Sequence, residues 1–147
     1  MTIDQAIRTA VEAERAAARF YARLVTVARD ERARTFLRDM SEEEEEHAQA
    51  ISRWGEELGA HHESAQPDPQ AFIVETAPPW ELADFIDLHQ ALEVAVECEN
   101  HAALYYDAMS DRFHGDSAEF FKRLAQQELA HARRLRELKK WISTAPG

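Results

Sequence analysis

The sequence predicts an all-α fold: four long helices in two antiparallel pairs, joined by a long crossover. Three observations predict it. Ala, Glu, Leu and Arg dominate, while only 4 Gly and 5 Pro are spread over 147 residues, too few for a turn-rich β domain. Helix-start signals stand at four places, each followed by an apolar stripe at alternating spacings of three and four. The second half of the chain also repeats the first.

The elements follow in order. Thr2-Ile3-Asp4-Gln5 is a capping box that opens a helix reaching to about Ala28. Asp30 caps a second helix that ends near Leu58, with Gly59 as its stop. Asp87-Leu88-His89-Gln90 opens a third, to about Arg112, and Asp116-Ser117-Ala118-Glu119 a fourth, to about Ile142. Gly55 is the only glycine inside these helices, and they contain no proline. Between Gly59 and Trp80 lie Pro67, Pro69, Pro78 and Pro79, and a short extra helical turn is expected from Trp80 to Ile86. About 22 residues at roughly 3.3 Å each span some 70 Å, more than the ~39 Å of a ~26-residue helix. The connection can therefore run the length of a bundle and start the third helix from the far end. The short connections on either side force antiparallel neighbours. The chain reads as one domain, 1–147, with repeat halves 2–58 and 87–142 and a crossover 59–86.

The repeat is explicit. Shifted by 85, Gln5–Tyr21 and Gln90–Tyr106 share nine of 17 positions, among them Glu12/Glu97, Glu14/Glu99 and Tyr21/Tyr106. Shifted by 84, Phe36 meets Phe120, Glu44 meets Glu128, His47 meets His131 and Ala48 meets Ala132. Alanine-rich helices match one another by composition, but composition does not align Glu, His and Tyr. A repeat of this kind implies pseudo-twofold symmetry and a symmetric site where the copies meet.

The stripes contain charges where a core should be apolar. They run Ile3, Ile7, Ala10, Glu14, Ala17, Tyr21, Leu24, Ala28; then Ala33, Leu37, Met40, Glu44, His47, Ile51, Trp54, Leu58; then Leu88, Leu92, Ala95, Glu99, Ala102, Tyr106, Met109, Phe113; then Phe121, Leu124, Glu128, His131, Leu135, Leu138, Ile142. Each is interrupted near its middle by a Glu, and the second and fourth add a His three residues later, on the same face. Carboxylates are seldom buried unless paired, and a lone ion in a low-dielectric core costs several kcal/mol. No Lys or Arg lies on any stripe to neutralise them. A bound cation can, and two divalent ions would balance four carboxylates. Glu44 lies within the run Glu42–Glu46, which taken alone reads as a solvated face. Glu128-x-x-His131 follows Gln126 and Gln127, and none of the other five histidines has a Glu three residues before it. Carboxylate-rich donors with one imidazole per metal suit iron or manganese, and zinc would accept them.

Composition narrows the partners. With 17 basic and 28 acidic residues the formal net charge is −11, which argues against nucleic acid and against an anionic membrane surface. It favours cations, which the acids outside the stripes could attract. No apolar run is long enough to span a membrane, no secretory leader is evident, and the single cysteine, Cys98, excludes an intrachain disulfide. A cytoplasmic location is expected. Cys98 is expected to be a buried inert thiol, and His101 to line the bundle.

The pattern Glu14…Tyr21, Glu44-x-x-His47, Glu99…Tyr106, Glu128-x-x-His131 resembles the ferritin-like di-iron carboxylate proteins. Ala10-Val11-Glu12-Ala13-Glu14 leading to Phe20-Tyr21, with Phe36 eight residues before Glu44, most resembles the rubrerythrin-like group. The resemblance covers nearly the whole chain outside the crossover. It implies a ferritin-like four-helix bundle holding two iron ions of the oxo-bridged type, with manganese or zinc as substitutes. By analogy Glu44 and Glu128 would bridge the metals. Glu14 would be terminal on the metal bound by His47, and Glu99 on the metal bound by His131. Tyr21 and Tyr106 would hydrogen-bond ligand carboxylates or simply fill the core.

Two departures bear on activity. Rubrerythrins proper carry a rubredoxin domain with two Cys-x-x-Cys pairs. Here a separate electron-donor protein is expected. Many also carry an additional Glu one turn after the third-helix ligand, where this chain has Ala102. The second departure points to a plain six-ligand ferroxidase-like centre rather than an efficient peroxide reductase. The resemblance implies a di-iron oxidoreductase that oxidises Fe(II), or reduces hydrogen peroxide or dioxygen, as a homodimer or larger assembly. Iron storage, a hydroxylase acting on an organic substrate and a metal-free interaction module remain as alternatives.

Overall fold

The computed structural model of the chain describes residues 2–59, residue 65 and residues 87–144, those at 143 and 144 as backbone alone. Among them are four helices and no strand: α1 Ile3–Val27, α2 Glu31–Glu57, α3 Leu88–Arg112 and α4 Gly115–Thr144. The helical turn expected over 80–86 lies outside the described residues. By contact the chain divides into two compact units, 1–80 and 81–147. The first contains the α1–α2 hairpin and the second the α3–α4 hairpin.

The starts of three helices form as the sequence dictates. Thr2 Oγ1 accepts from the Gln5 N–H at 3.1 Å, and Gln5 Oε1 accepts from the Thr2 N–H at 3.0 Å. Asp30 Oδ1 accepts from the N–H groups of Arg32 and Ala33. Asp87 and Gln90 repeat the reciprocal box at 2.8 and 3.3 Å. These bonds satisfy donors that a helix start leaves without partners.

Gly59 stops α2 with φ +74°, the left-handed region that favours glycine. Gly115, at φ +63°, makes the tight turn after His114, and α4 begins there. Asp116, expected to cap this helix from outside, is instead in its first turn, where a carboxylate favours the positive end of the helix dipole.

The first hairpin is antiparallel: Glu14 faces His47, Arg15 faces Glu45, and Ser41 Oγ donates to the Ala18 carbonyl at 2.7 Å. Along α1 these partners rise in number while along α2 they fall. In the second hairpin, Glu93 pairs with Lys139 and Glu99 faces His131, the same sense. Its turn end is closed by rings, with Phe121 5.7 Å from Phe113 and 6.3 Å from Tyr106 between centroids. The expected stripes supply the core. Ile7, Ala10, Leu24, Leu37, Met40, Leu92, Phe121 and Leu135 are fully buried. Leu58 departs from its stripe and is exposed, because α2 has ended one residue before it.

Lys139 Nζ is 2.9 Å from Glu93 Oε1. Its hydrogen bond and charge hold the Glu93 carboxyl below the ordinary glutamate value, against a small opposing effect of burial. A carboxyl with a lowered folded-state pKa stabilises at neutral pH and loses that contribution as pH falls through the lowered value. Lys139→Met should move the Glu93 titration up toward the ordinary value, as followed by carboxyl NMR. Asp87→Ala should cost about 1 kcal/mol in denaturant unfolding through loss of the α3 cap.

Candidate metal centre

Burial separates four carboxylates from all the others. Among the described residues, the only buried Asp or Glu side chains are Glu14, Glu44, Glu99 and Glu128, each exposed by 1% or less. These are the four that interrupt the stripes. Within the run 42–46 only Glu44 is buried: Glu42 and Glu46 are exposed, and Glu45 turns sideways toward Arg15, 3.7 Å away. Helical periodicity does this. One residue in the run shares a face with Met40 and Ile51, and its neighbours are rotated away from the core.

Each hairpin builds the same half-site. In the first, α1 supplies Glu14 and α2 supplies Glu44 and His47. His47 Nδ1 is 3.9 Å from Glu14 Oε2, and the ligand atoms of Glu44 and His47 lie within 4.8 Å of each other. In the second, α3 supplies Glu99 and α4 supplies Glu128 and His131. His131 Nδ1 is 3.8 Å from Glu99 Oε2, and the ligand atoms of Glu128 and His131 again lie within 4.8 Å. The histidines differ in exposure, His131 being buried and His47 half-buried.

The spacing within each half is informative. At 3.8–3.9 Å, imidazole nitrogen and carboxylate oxygen are too far apart for a hydrogen bond. Two donors that each sit roughly 2.1 Å from one ion are about 3–4 Å apart. Two carboxylates and an imidazole are also the donor types that iron and manganese accept. The imidazole–carboxylate spacing and the donor types of each half therefore fit a metal ion, and the repeat presents them twice.

Tyr21 and Tyr106 are both buried on the same stripes, two turns beyond Glu14 and Glu99. Two other sequence expectations are corrected. Cys98 is half-buried rather than buried, because it lies one position off the α3 stripe. His101 is exposed and does not line the interior, since it is two residues beyond Glu99 and so rotated to the outer face of α3. Among the described residues the remaining buried polar side chains, apart from His131, are Thr9 and Ser110. Ser110 bonds locally, donating to the Asp107 carbonyl at 2.6 Å. No ligand candidate beyond the six expected from the sequence emerges among the described residues. Nor is any described helix long and apolar enough to cross a membrane.

The chain matches the family model described as Rubrerythrin over residues 5–139. No curated protein and no solved structure matches it. The matched span contains most of both helical hairpins and all six residues of the two half-sites. Helical content, repeated half-sites and the family match together place this chain in the rubrerythrin family, whose fold is the ferritin-like four-helix bundle.

Proposed function

We propose that this protein is a di-iron oxidoreductase in which the two half-sites serve one dinuclear centre. The observation that supports it most directly is the burial of four carboxylates and two imidazoles in two matched sets. In this reading Glu14 and His47 would hold one iron and Glu99 and His131 the other, with Glu44 and Glu128 as the further carboxylate ligands. Loaded with two ferrous ions, such a centre would supply the two electrons that one hydrogen peroxide or dioxygen accepts.

The chain's own residues have definite tasks in this scheme. The four carboxylates cancel the charge of two divalent ions, so neither metal nor ligand is left as an uncompensated buried charge. The half-buried His47 leaves its side of the centre nearer to solvent than the buried His131, which favours entry of a small oxidant from that side. Tyr21 and Tyr106 would hold ligand carboxylates in place through their hydroxyls. The acidic residues outside the core give a negative surface that draws Fe(II) in. A separate protein would return electrons to the centre.

Anaerobic loading with Fe(II), followed by separate challenge with dioxygen and with hydrogen peroxide, names the reaction. Two Fe(II) consumed per peroxide, with a clear rate preference between the oxidants, is the expected result. Uptake of hundreds of irons per assembly would instead mark a storage protein. Glu44→Gln and Glu128→Gln should each weaken iron binding by at least roughly tenfold. The same substitutions should raise the melting temperature of the metal-free protein, because each removes one of four crowded negative charges. Metal analysis and calorimetry on the same samples test both directions.

A further inference from the structure

We propose that the outer seam of the α1–α2 hairpin is the docking face for a small acidic electron-carrier protein that re-reduces the centre. The proposal rests on the reading above that a separate protein returns electrons, and it adds the face that protein meets and the charge it must carry. The chain has a formal net charge of −11, yet residues 15–38 hold seven arginines against two acids, a formal +5. No lysine is among them. Six of the seven arginines are exposed, and Arg34 is half-buried.

Antiparallel pairing gathers these charges. Ser41 donates to the Ala18 carbonyl and Arg15 lies 3.7 Å from Glu45, so residues whose numbers sum to about 60 face each other across the seam. Arg15, Arg19 and Arg23 follow one another at i, i+4 and i+8 along α1, while Arg34, Arg38, Ser41 and Glu45 share one face of α2. Arg38 thereby stands at the level of Ala22 and Arg23, about one turn beyond Arg19. Glu45 answers Arg15 and Glu31 lies 3.7 Å from Arg34, but among the described residues no acidic group pairs with Arg19 or Arg38. Like charges one helical turn apart repel and cost stability. The internal repeat shows that the fold does not require them. The counterpart stretch of the second hairpin, 100–122, holds two basic and four acidic residues, a formal −2. Under the shifts of 85 and 84, Asn100, Leu104, Ala108 and Lys122 stand where the first hairpin has Arg15, Arg19, Arg23 and Arg38. The other basic run, 133–140 on α4, meets acids: Lys139 pairs with Glu93 at 2.9 Å and Lys140 with Glu137 at 3.9 Å.

Position and charge together indicate the occupant. Arg15 directly follows the candidate ligand Glu14, and Arg19 and Arg38 are five and six residues from Glu14 and Glu44, about 8 and 9 Å along the helix axes. A carrier seated on this seam is separated from the first half-site by about one helix diameter, ~10 Å. An electron crosses that thickness without any atom being exchanged. Each docking delivers one electron, so two carriers are oxidised by one electron apiece for each pair of ferric ions reduced to ferrous. A chain this acidic repels an acidic carrier over most of its surface, so one basic patch both admits the carrier and sets where it lands. Arginine forks match carboxylates in pairs of hydrogen bonds, which lysine does not do. The run from Arg15 to Arg23 is about 12 Å long, a size that suits the small, transient contacts of electron transfer. A nucleic-acid duplex tracking along the seam would instead meet Glu42 and Glu45 at one end and Glu31 at the other.

Calorimetric titration of the full iron-loaded chain with a plant-type [2Fe–2S] ferredoxin and with a flavodoxin, both small acidic one-electron carriers, tests the proposal. Both should bind, and the affinity should fall at least roughly tenfold between about 20 and 200 mM salt. Arg19→Glu combined with Arg38→Glu should weaken both by more than roughly tenfold at low salt, without loss of helicity. Arg136→Glu combined with Lys140→Glu changes the net charge equally in the other basic run and should leave affinity within about twofold. The rate at which either reduced carrier re-reduces the ferric protein should follow affinity across these variants, while re-reduction by a small uncharged mediator dye stays constant. Absence of binding by both carriers would overturn the proposal, as would equal losses in the two double variants. So would duplex DNA, phosphatidylserine vesicles or a second copy of the chain proving the tighter occupant of the arginine seam. A ferric centre that even the dye cannot cycle with oxidant would end the oxidoreductase reading and the electron-delivery role with it. Lost arginine dependence with dye cycling intact would overturn the docking face alone.

Discussion

Four carboxylates on the apolar faces of four helices are the constraint on which the rest of this molecule depends. A helix face that buries Ile7, Ala10 and Leu24 gains stability from every apolar group and loses it at Glu14. The same holds at Glu44, Glu99 and Glu128. No Lys or Arg shares these faces, so the protein itself brings no strong cation to the interior positions. The imidazoles of His47 and His131 stand 3.9 and 3.8 Å from a glutamate oxygen, the spacing of two donors on one ion. A cation bound here would balance these carboxylates and would link folding to metal binding.

Much of this was legible from sequence because the physics is local. A hydroxyl or carboxylate three residues before a Gln reaches the N–H groups next to it, so the caps of α1 and α3 need no tertiary information. The stripe rule picked Glu44 out of five consecutive glutamates by periodicity, and burial agrees at that residue and at no other in the run. The repeat then duplicated every inference, which is why both half-sites were found with their partners.

What was not legible depended on geometry the pattern does not carry. The fourth helix starts at Gly115 because a left-handed glycine makes the turn, and the capping signal of Asp116 does not register that. Leu58 has the right spacing but lies past the last helical turn, so it points to water. The different exposure of His47 and His131 is invisible in two matching Glu-x-x-His phrases. The groove lined by Leu104 on α3 and Leu129 on α4 is not legible because both leucines are off the stripes, where single apolar residues carry no signal until their neighbours are known in space. The two halves thus agree inside, where ligand chemistry fixes the residues, and diverge outside, where surface contacts can differ freely.

Metal that balances the buried carboxylates would also stabilise the fold. The melting temperature of the protein, measured by anaerobic calorimetry before and after complete removal of metal and again after reloading with two Fe(II) per chain, tests it most directly. Removal should lower the melting temperature, and reloading should restore it fully, saturating at two ions per chain. An unchanged melting temperature, with metal loss and reloading both verified by elemental analysis, would contradict it.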